Sequence, residues 1–272
     1  MPPADDTTPR ALAGAPTGPV AVPAAVERVA GGARLEPVWE NQLGGLTFRV
    51  GAERYVKWAP AGVTGLDLAA EAARLAWAAR WTSVPEVLEQ GADDEGAWLV
   101  TAALRGRSAV SAPWVDRPAE AAAAIGEGLR ALHDALPVGD CPFSWSTAER
   151  VTRALEHLDA GDTPAGWSPE HRDLTVAESR ARLRDVPDVD LLVVCHGDAC
   201  APNTLIGDDG RWAAHVDLGS LGVADRWADL AVAAWSTEWN YGPGYAGTVY
   251  DAYGLAPDPD RIAFHRLLWD AT

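Results

Sequence analysis

Lysine is almost missing from this chain. Of 22 basic residues one is a lysine, Lys57, and the other 21 (22 minus one) are arginines. Cysteine is scarce as well. Three residues make an odd number that excludes a disulfide framework, and a reducing cytoplasm is the simplest expectation. No window is long and apolar enough to span a bilayer. The opening stretch, "MPPADDTTPRALAGAPTGPV", has no apolar core segment and predicts no secretory signal. It is acidic and Pro-rich, and reads as a flexible tail over residues 1–22. Net positive charge is lacking too, at −17. That excludes a nucleic-acid binder, which needs a basic surface to displace counterions. It suits a cationic ligand, and equally a surface that is acidic only for solubility.

What is present is enough for one large domain or two lobes. The chain has 272 residues, 48% of them hydrophobic and 22% charged, with 13 tryptophans to fill a core. In a lineage that has drifted towards arginine, the one ammonium group stands in a strand-like "RYVKWA". Either it survives by chance, or the position needs a compact point charge and not a planar fork.

Residues 33–59 predict β-structure. "RLEPVWEN", "GLTFRVG" and "RYVKWA" are short, rich in Val, Phe, Tyr and Trp, and separated by Gly-containing turns. Leu68, Ala72, Leu75 and Ala79 recur at helical spacing, with Glu71 on a neighbouring face. "PEVLEQGADDEGAWLVTAAL" gives two more strands, so the N-terminal part is expected to be a five-stranded antiparallel sheet with one helix after the third strand. After residue 104 the character is mainly helical. "RPAEAAAAIGEGLRALHDAL" starts with a proline suited to a first helical turn. "LTVAESRARLRDV" is helical, and the polar stretch between them at 158–173 fits a loop or short helices. "DLLVVCHGDACAPNTLIGDDGRWAAHVDLGSLGV" reads as a strand, a loop and a hairpin turned at "GDDG". Three helices, at 224–239, 244–253 and 259–270, complete the pattern.

Oxygen donors gather around that hairpin. Asn203 follows Asp198 by five residues, and Asp217 follows it by 19 at the far end of the hairpin. Carboxylate and amide oxygens suit Mg²⁺ together with phosphate oxygens and water. Phosphoryl transfer needs such ligands, a residue to orient the attacking hydroxyl, a lysine on the phosphates and a loop of backbone amides. Asp217 and Asn203 are the candidates for metal, Asp198 for the hydroxyl proton, Lys57 for the phosphates and Glu71 for holding Lys57. The "NQLGGL" turn, with Gly44 and Gly45, is the candidate cover for a nucleotide. Each feature alone has an ordinary structural reading: a surface loop for H-x-D, a hairpin turn for the two glycines, an exposed helix residue for Glu71. Their joint order along one chain does not.

These residues, with "AEAARLAW", "VDLGSLGVADRWADLAVAAW" and "YGLAPDPDRIAFHRLLWD", resemble the aminoglycoside 3′-phosphotransferases over nearly all of residues 26–272. The resemblance implies an α+β, two-lobe protein-kinase-like fold: an N-lobe at 23–103 and a larger, mainly helical C-lobe at 104–272. It implies ATP and Mg²⁺ as cofactors and transfer of the γ-phosphoryl group to the 3′-hydroxyl of a cationic aminoglycoside, which confers resistance. By the same resemblance Asp198 is the catalytic aspartate, Asn203 and Asp217 bind Mg²⁺, and Lys57 with Glu71 serves the nucleotide. Backbone groups from Thr101 to Ala103 would hold adenine, and Asp229 would support the catalytic loop.

The acceptor side departs from that pattern. The family's chains end in two acids and two aromatics, whereas this one ends "LLWDAT", with Trp269 where an acid is usual and Asp270 remaining. Ser220 and Trp235 stand where arginine is usual. Asp270, Glu238 and Glu170 are the acids left for a cationic acceptor, along with Asp159, Asp162 and Asp173. Trp269 and Trp235 either stack on a sugar or pack in the core. Two other readings therefore stand beside the first: a kinase of this fold acting on a different alcohol, and a nucleotide-binding regulator without catalysis.

Overall fold

Alternation of side chains builds the sheet of the first unit. The computed structural model describes residues 14–272, so the first 13 residues of the tail expected over residues 1–22 lie outside the described residues. Helix α1 (Ala24–Ala30) precedes strands β1 (Leu35–Glu40), β2 (Leu46–Val50) and β3 (Arg54–Pro60). Helix α2 (Leu68–Ala78) and strands β4 (Val87–Ala92) and β5 (Gly96–Ala102) follow. The strands pair antiparallel in the order β1-β2-β3-β5-β4. On one face Phe48, Val50, Val56 and Val100 are buried against Val26 and Ala30 of α1. Each such side chain stabilises by roughly 1.5–3 kcal/mol. On the other face Thr47, Lys57 and Leu99 stand in register.

Helix α1 was not legible in the sequence, and residues 14–22, expected as part of a flexible tail, pack on the sheet instead. Gly14 exchanges two backbone hydrogen bonds with Glu40, while Val20 and Val22 pack on the α1 face of the sheet. "AAVERVA" is too short to carry a helical period, and it is stabilised by the sheet beneath it and not by propensity. The first compact unit runs up to Ala76 and resumes over Pro85–Leu104, and the second comprises Trp77–Val84 and Arg105–Thr272.

The second unit contains a short strand β6 (Arg107–Ser108), helices α3 (Pro118–Ala135), α4 (Thr147–Ala160) and α5 (Val176–Arg184), and strand β7 (Leu192–Cys195). Strands β8 (Thr204–Ile206), β9 (Trp212–His215) and β10 (Gly222–Asp225) follow, then helices α6 (Trp227–Tyr241), α7 (Ala246–Tyr253) and α8 (Pro259–Asp270). The last three helices lie within a few residues of their predicted spans. The 158–173 stretch is the end of α4, closed by Gly161 in a left-handed conformation, and then a single 3₁₀ turn at Pro164–Gly166. α6 is buried all round from Trp227 to Thr237, as a central core helix should be. α3 approaches α7 closely because Gly126 lacks a side chain: a Cβ there would lie 2.3 Å from the Val249 carbonyl oxygen.

Two core histidines make this unit acid-sensitive. His215 and His265 are 1% exposed, and neither ring has both nitrogens paired among the described residues. Burial, reinforced by the charges of Arg150 and Arg261, pushes His265 down to about 3 from 6.5. Burial, then His196, holds His215 well below 6.5. In the unfolded chain both take up protons near pH 6.5, so the unfolded state binds more protons and stability falls as pH drops. Each histidine is expected to contribute a loss of about 1.4 kcal/mol per pH unit below that point. Thermal melts from pH 7.5 to 5 check this. The melting temperature should decline below pH 6.5, and a His265→Gln variant should decline less steeply; a flat profile would contradict the assignment.

Candidate functional site

The first unit pairs the single lysine. Period-two alternation turns Lys57 away from the α1 face, and Glu71 lies in the first turn of α2. That turn begins where the Asp67 carboxylate accepts the Ala70 N–H at 2.9 Å. Lys57 Nζ donates to Glu71 Oε1 at 2.7 Å, with the two side chains 24% and 6% exposed. A short ion pair this far from water is held more firmly than a surface pair. The neighbouring turn is closed on itself. The N–H groups of Leu43 and Gly45 donate to Asn41 Oδ1, and that of Gly44 to the Asn41 carbonyl. Thr101 lies in the β-ladder, and the Ala102 and Ala103 N–H groups donate to the carbonyls of Glu86 and Glu53.

In the second unit, Asp198 follows β7 in a loop fixed from beneath. Asp229, fully buried on α6, accepts the N–H of His196 at 2.6 Å and of Gly197 at 2.9 Å. It also accepts His133 Nε2 at 3.0 Å, and His133 Nδ1 meets the Tyr253 hydroxyl at 2.9 Å. Burial alone would push the Asp229 carboxyl up, but the His133 hydrogen bond and charge hold it below its ordinary value. Gly197 has φ +84°, and a Cβ there would lie 2.1 Å from the Ser220 carbonyl oxygen. No other residue type meets both conditions.

The three sequence-selected oxygen donors come together. Asn203 Nδ2 donates to the Asp198 carbonyl at 2.9 Å and to its Oδ2 at 3.1 Å. The Asn203 carbonyl accepts the Val216 N–H at 3.0 Å, which ties the Asp198 loop to the residue before Asp217. His196 makes a second tie. Its Nδ1 accepts the Asp198 N–H at 3.2 Å, so Nε2 carries the proton and donates to the Val216 carbonyl at 2.9 Å. Asp217 is the one described non-glycine residue with positive φ, at 63°, a conformation that costs energy and gathers at functional positions. Its recessed setting, and then the Asp217 carboxylate, push the Asp198 carboxyl above its ordinary range. Excess negative charge of this kind, lined by carboxylate and amide oxygens, fits a divalent cation.

Cys200 and Ser236 complete the loop's surroundings. Burial, then the Asp198 charge, keeps the Cys200 thiol protonated and hydrogen-bonded to Asp198. Ser236 Oγ on α6 accepts the Ala201 N–H at 2.8 Å. Cys195 packs below, its thiol on the Asp225 carbonyl. It lies near His133 and Asp229, but those two groups satisfy each other. His196 was marked in the sequence only as the first residue of H-x-D, and His133 and Ser236 carried no signal, because their roles depend on contacts 20 to 96 residues away.

Asp270, Glu170 and Glu238, among the acids expected to meet an acceptor, are engaged within the chain. Asp270 Oδ2 accepts Ser168 Oγ at 2.5 Å and the Ser168 N–H at 3.3 Å, and pairs with His171 Nδ1 at 2.6 Å. Glu170 and Glu238 share Arg266, each at 3.4 Å. Trp235 is 4% exposed, packed against His171, Trp239 and the Arg266 guanidinium. Core packing is therefore its role here. Trp269 is half-buried.

A pinned carboxylate with raised proton affinity, beside a second carboxylate and an amide oxygen, can take a proton from a hydroxyl group and flank a cation. Comparison with known proteins agrees with that chemistry. Residues 36–265 match the family model described as "Phosphotransferase enzyme family". The chain is 39% identical to the aminoglycoside 3′-phosphotransferase of Streptomyces fradiae over 236 residues, 79% of this chain and 84% of that one. Its fold is similar to the crystal structure of aminoglycoside-3′-phosphotransferase of type VIII, with a TM-score of 0.77 and 31% identity over 91% of this chain and 98% of the other. It is also similar to aminoglycoside phosphotransferase APH(3″)-Id of Streptomyces rimosus in complex with ADP and streptomycin. There the TM-score is 0.71 and the identity 30%, over 90% and 95% of the two chains. No helix among the described residues is long and apolar enough to cross a membrane.

Proposed function

The chain belongs to the phosphotransferase enzyme family, and from that premise we propose that it transfers the γ-phosphoryl group of ATP to the 3′-hydroxyl of an aminoglycoside. The product would carry added negative charge on a drug that acts through positive charge, which is the basis of resistance. The observation that supports this best is the joined set of Asp198, Asn203 and the strained Asp217. Asp198 orients the acceptor hydroxyl and takes its proton, a role its raised proton affinity favours. The Asn203 amide and the His196 ring hold the carboxylate and its backbone in place. Lys57 supplies positive charge to the nucleotide phosphates, and Glu71 fixes its ammonium group. Gly44, Gly45, Thr101 and Ala103 are the backbone candidates for the nucleotide in the first unit. Asn203 and Asp217 are the residues that would hold Mg²⁺, which when bound neutralises charge on the phosphates.

A second reading has its own support. With Asp270 held by Ser168 and His171, the acceptor side is less acidic than a polyamine site demands, and a different hydroxyl or a different alcohol becomes the target. One assay separates the readings: ADP release from Mg²⁺-ATP with kanamycin, neomycin, the 3′-deoxy drug tobramycin, or no acceptor. Turnover with the first two and not with tobramycin is the expected result. Equal turnover of tobramycin would move the transfer to another hydroxyl, and no turnover with any drug would direct the search to other alcohols.

A further inference from the structure

Arg266 stands in an unusual position for a chain proposed to act on a cation. It projects from α8 and reaches two carboxylates from different elements. Nη1 lies 3.4 Å from Glu170 Oε2, in the segment before α5, and Nη2 lies 3.4 Å from Glu238 Oε1 on α6. The Arg266 side chain is 13% exposed, while the two glutamates are 41% and 39% exposed. The guanidinium lies over the Trp235 ring at 5.2 Å. Its Nε is buried with no partner among the described residues. Beside it burial holds the Tyr250 phenol up at about 12, so that neighbour is neutral.

Trp235 and Glu238 of this cluster share α6 with the residue that fastens the Asp198 loop. Ser236 of α6 holds that loop through Ala201. Successive helical residues turn by about 100°, so Trp239 lies roughly 60° round from Ser236, Trp235 roughly 100° and Glu238 roughly 160°, all in one direction. Trp239 is 44% exposed. Going round α6 from the loop, the helix surface therefore passes from an exposed indole to Glu238, which shares Arg266 with Glu170. Those bonds are long for charge-assisted pairs, which close at about 2.7–2.9 Å. By contrast, Lys57 and Glu71 stand at 2.7 Å. The glutamates are thus neutralised but not locked.

We propose that Arg266 is a specificity-determining residue that occupies Glu170 and Glu238 in place of an ammonium group of the acceptor. The proposal rests on the reading of the chain as a kinase of a cationic acceptor. Arg266 takes up the negative charge that a polyamine would use on this flank. The chain consequently favours acceptors that present a sugar face to Trp239 there, and discriminates against those that present an extra ammonium group. Because Arg266 also covers Trp235, a substitute must keep its volume. Arg266→Met does so without the charge, and Arg266→Gln offers a second, polar replacement.

The test has two arms. Turnover of the parent protein with kanamycin and neomycin checks the underlying reading. Tryptophan-fluorescence titration with neomycin, the more cationic of the two, checks the role of Arg266 whether or not turnover occurs. Releasing two part-exposed carboxylates should tighten neomycin binding by about five- to tenfold, and kanamycin binding by less. The gain should shrink in high salt, as charge attraction does. Arg266→Lys, which keeps the charge, should stay with the parent. Where the parent turns over a drug, the gain should appear in its KM. Unchanged or weaker neomycin binding in both Arg266→Met and Arg266→Gln, with melting temperatures close to the parent's, would overturn the proposal. A parent that binds but does not phosphorylate the drugs would overturn the kinase reading alone.

Discussion

Asp198→Asn is expected to lower turnover by about 10²–10⁴-fold while leaving the protein at least as stable as the parent. The two halves of this expectation have one cause. The Asp198 carboxyl is raised above its ordinary range by its recessed setting and by Asp217. For an acid raised in this way, the folded state binds more protons than the unfolded state between the two pKa values. Stability therefore falls as pH rises through that window, and at neutral pH the charge is a net cost to folding. Asparagine removes the charge and keeps an oxygen to accept the Asn203 amide, which now donates to Asp198 Oδ2 at 3.1 Å. It cannot take a proton from a hydroxyl group. Loss of ADP release together with an unchanged or higher melting temperature at pH 7.5 is the expected pair of readings. Parent-like turnover would mean that Asp198 is not the group that takes the hydroxyl proton, and a large drop in melting temperature would mean that the carboxylate holds the loop together.

The parts legible in the sequence were those set by local rules. The run of short strands set Lys57 on the third strand with Glu71 on the helix after it, and "GDDG" placed the β8–β9 hairpin, so Asp198, Asn203 and Asp217 were expected close together. What escaped has a common character. α1 is a seven-residue helix held by the sheet it covers, and its sequence does not announce it. His133 lies in an ordinary amphipathic helix, and only the fold brings it to Asp229. The acceptor side escaped for a different reason. Asp270, Glu170 and Glu238 read as free acids because sequence order does not reveal that Ser168, His171 and Arg266 face them. The closure of the Gly44–Gly45 turn by Asn41 is likewise a detail of hydrogen bonding that sequence order does not show.

Asp229 carries the largest expected effect on stability. Removing it would leave three buried donors, the N–H groups of His196 and Gly197 and the ring of His133, without an acceptor. Asp229→Leu is expected to destabilise the fold by about 3–5 kcal/mol. In a chain of this size that lowers the melting temperature by roughly 6–20 °C. Asp229→Asn should cost less, because its side-chain oxygen still accepts from at least one of these donors. His133→Leu should be mildest of the three, since Asp229 keeps both backbone donors. Thermal melts at pH 7.5 check the order, and a His133→Leu loss exceeding that of Asp229→Leu would contradict it. The pH dependence separates this carboxylate from the core histidines. Asp229 is depressed from its ordinary 3.8, so its contribution is complete above that value and is lost only as pH falls through the lower folded one. Between pH 6.5 and 5 the Asp229→Asn variant should therefore lose stability in parallel with the parent, because His215 and His265, and not Asp229, govern that range.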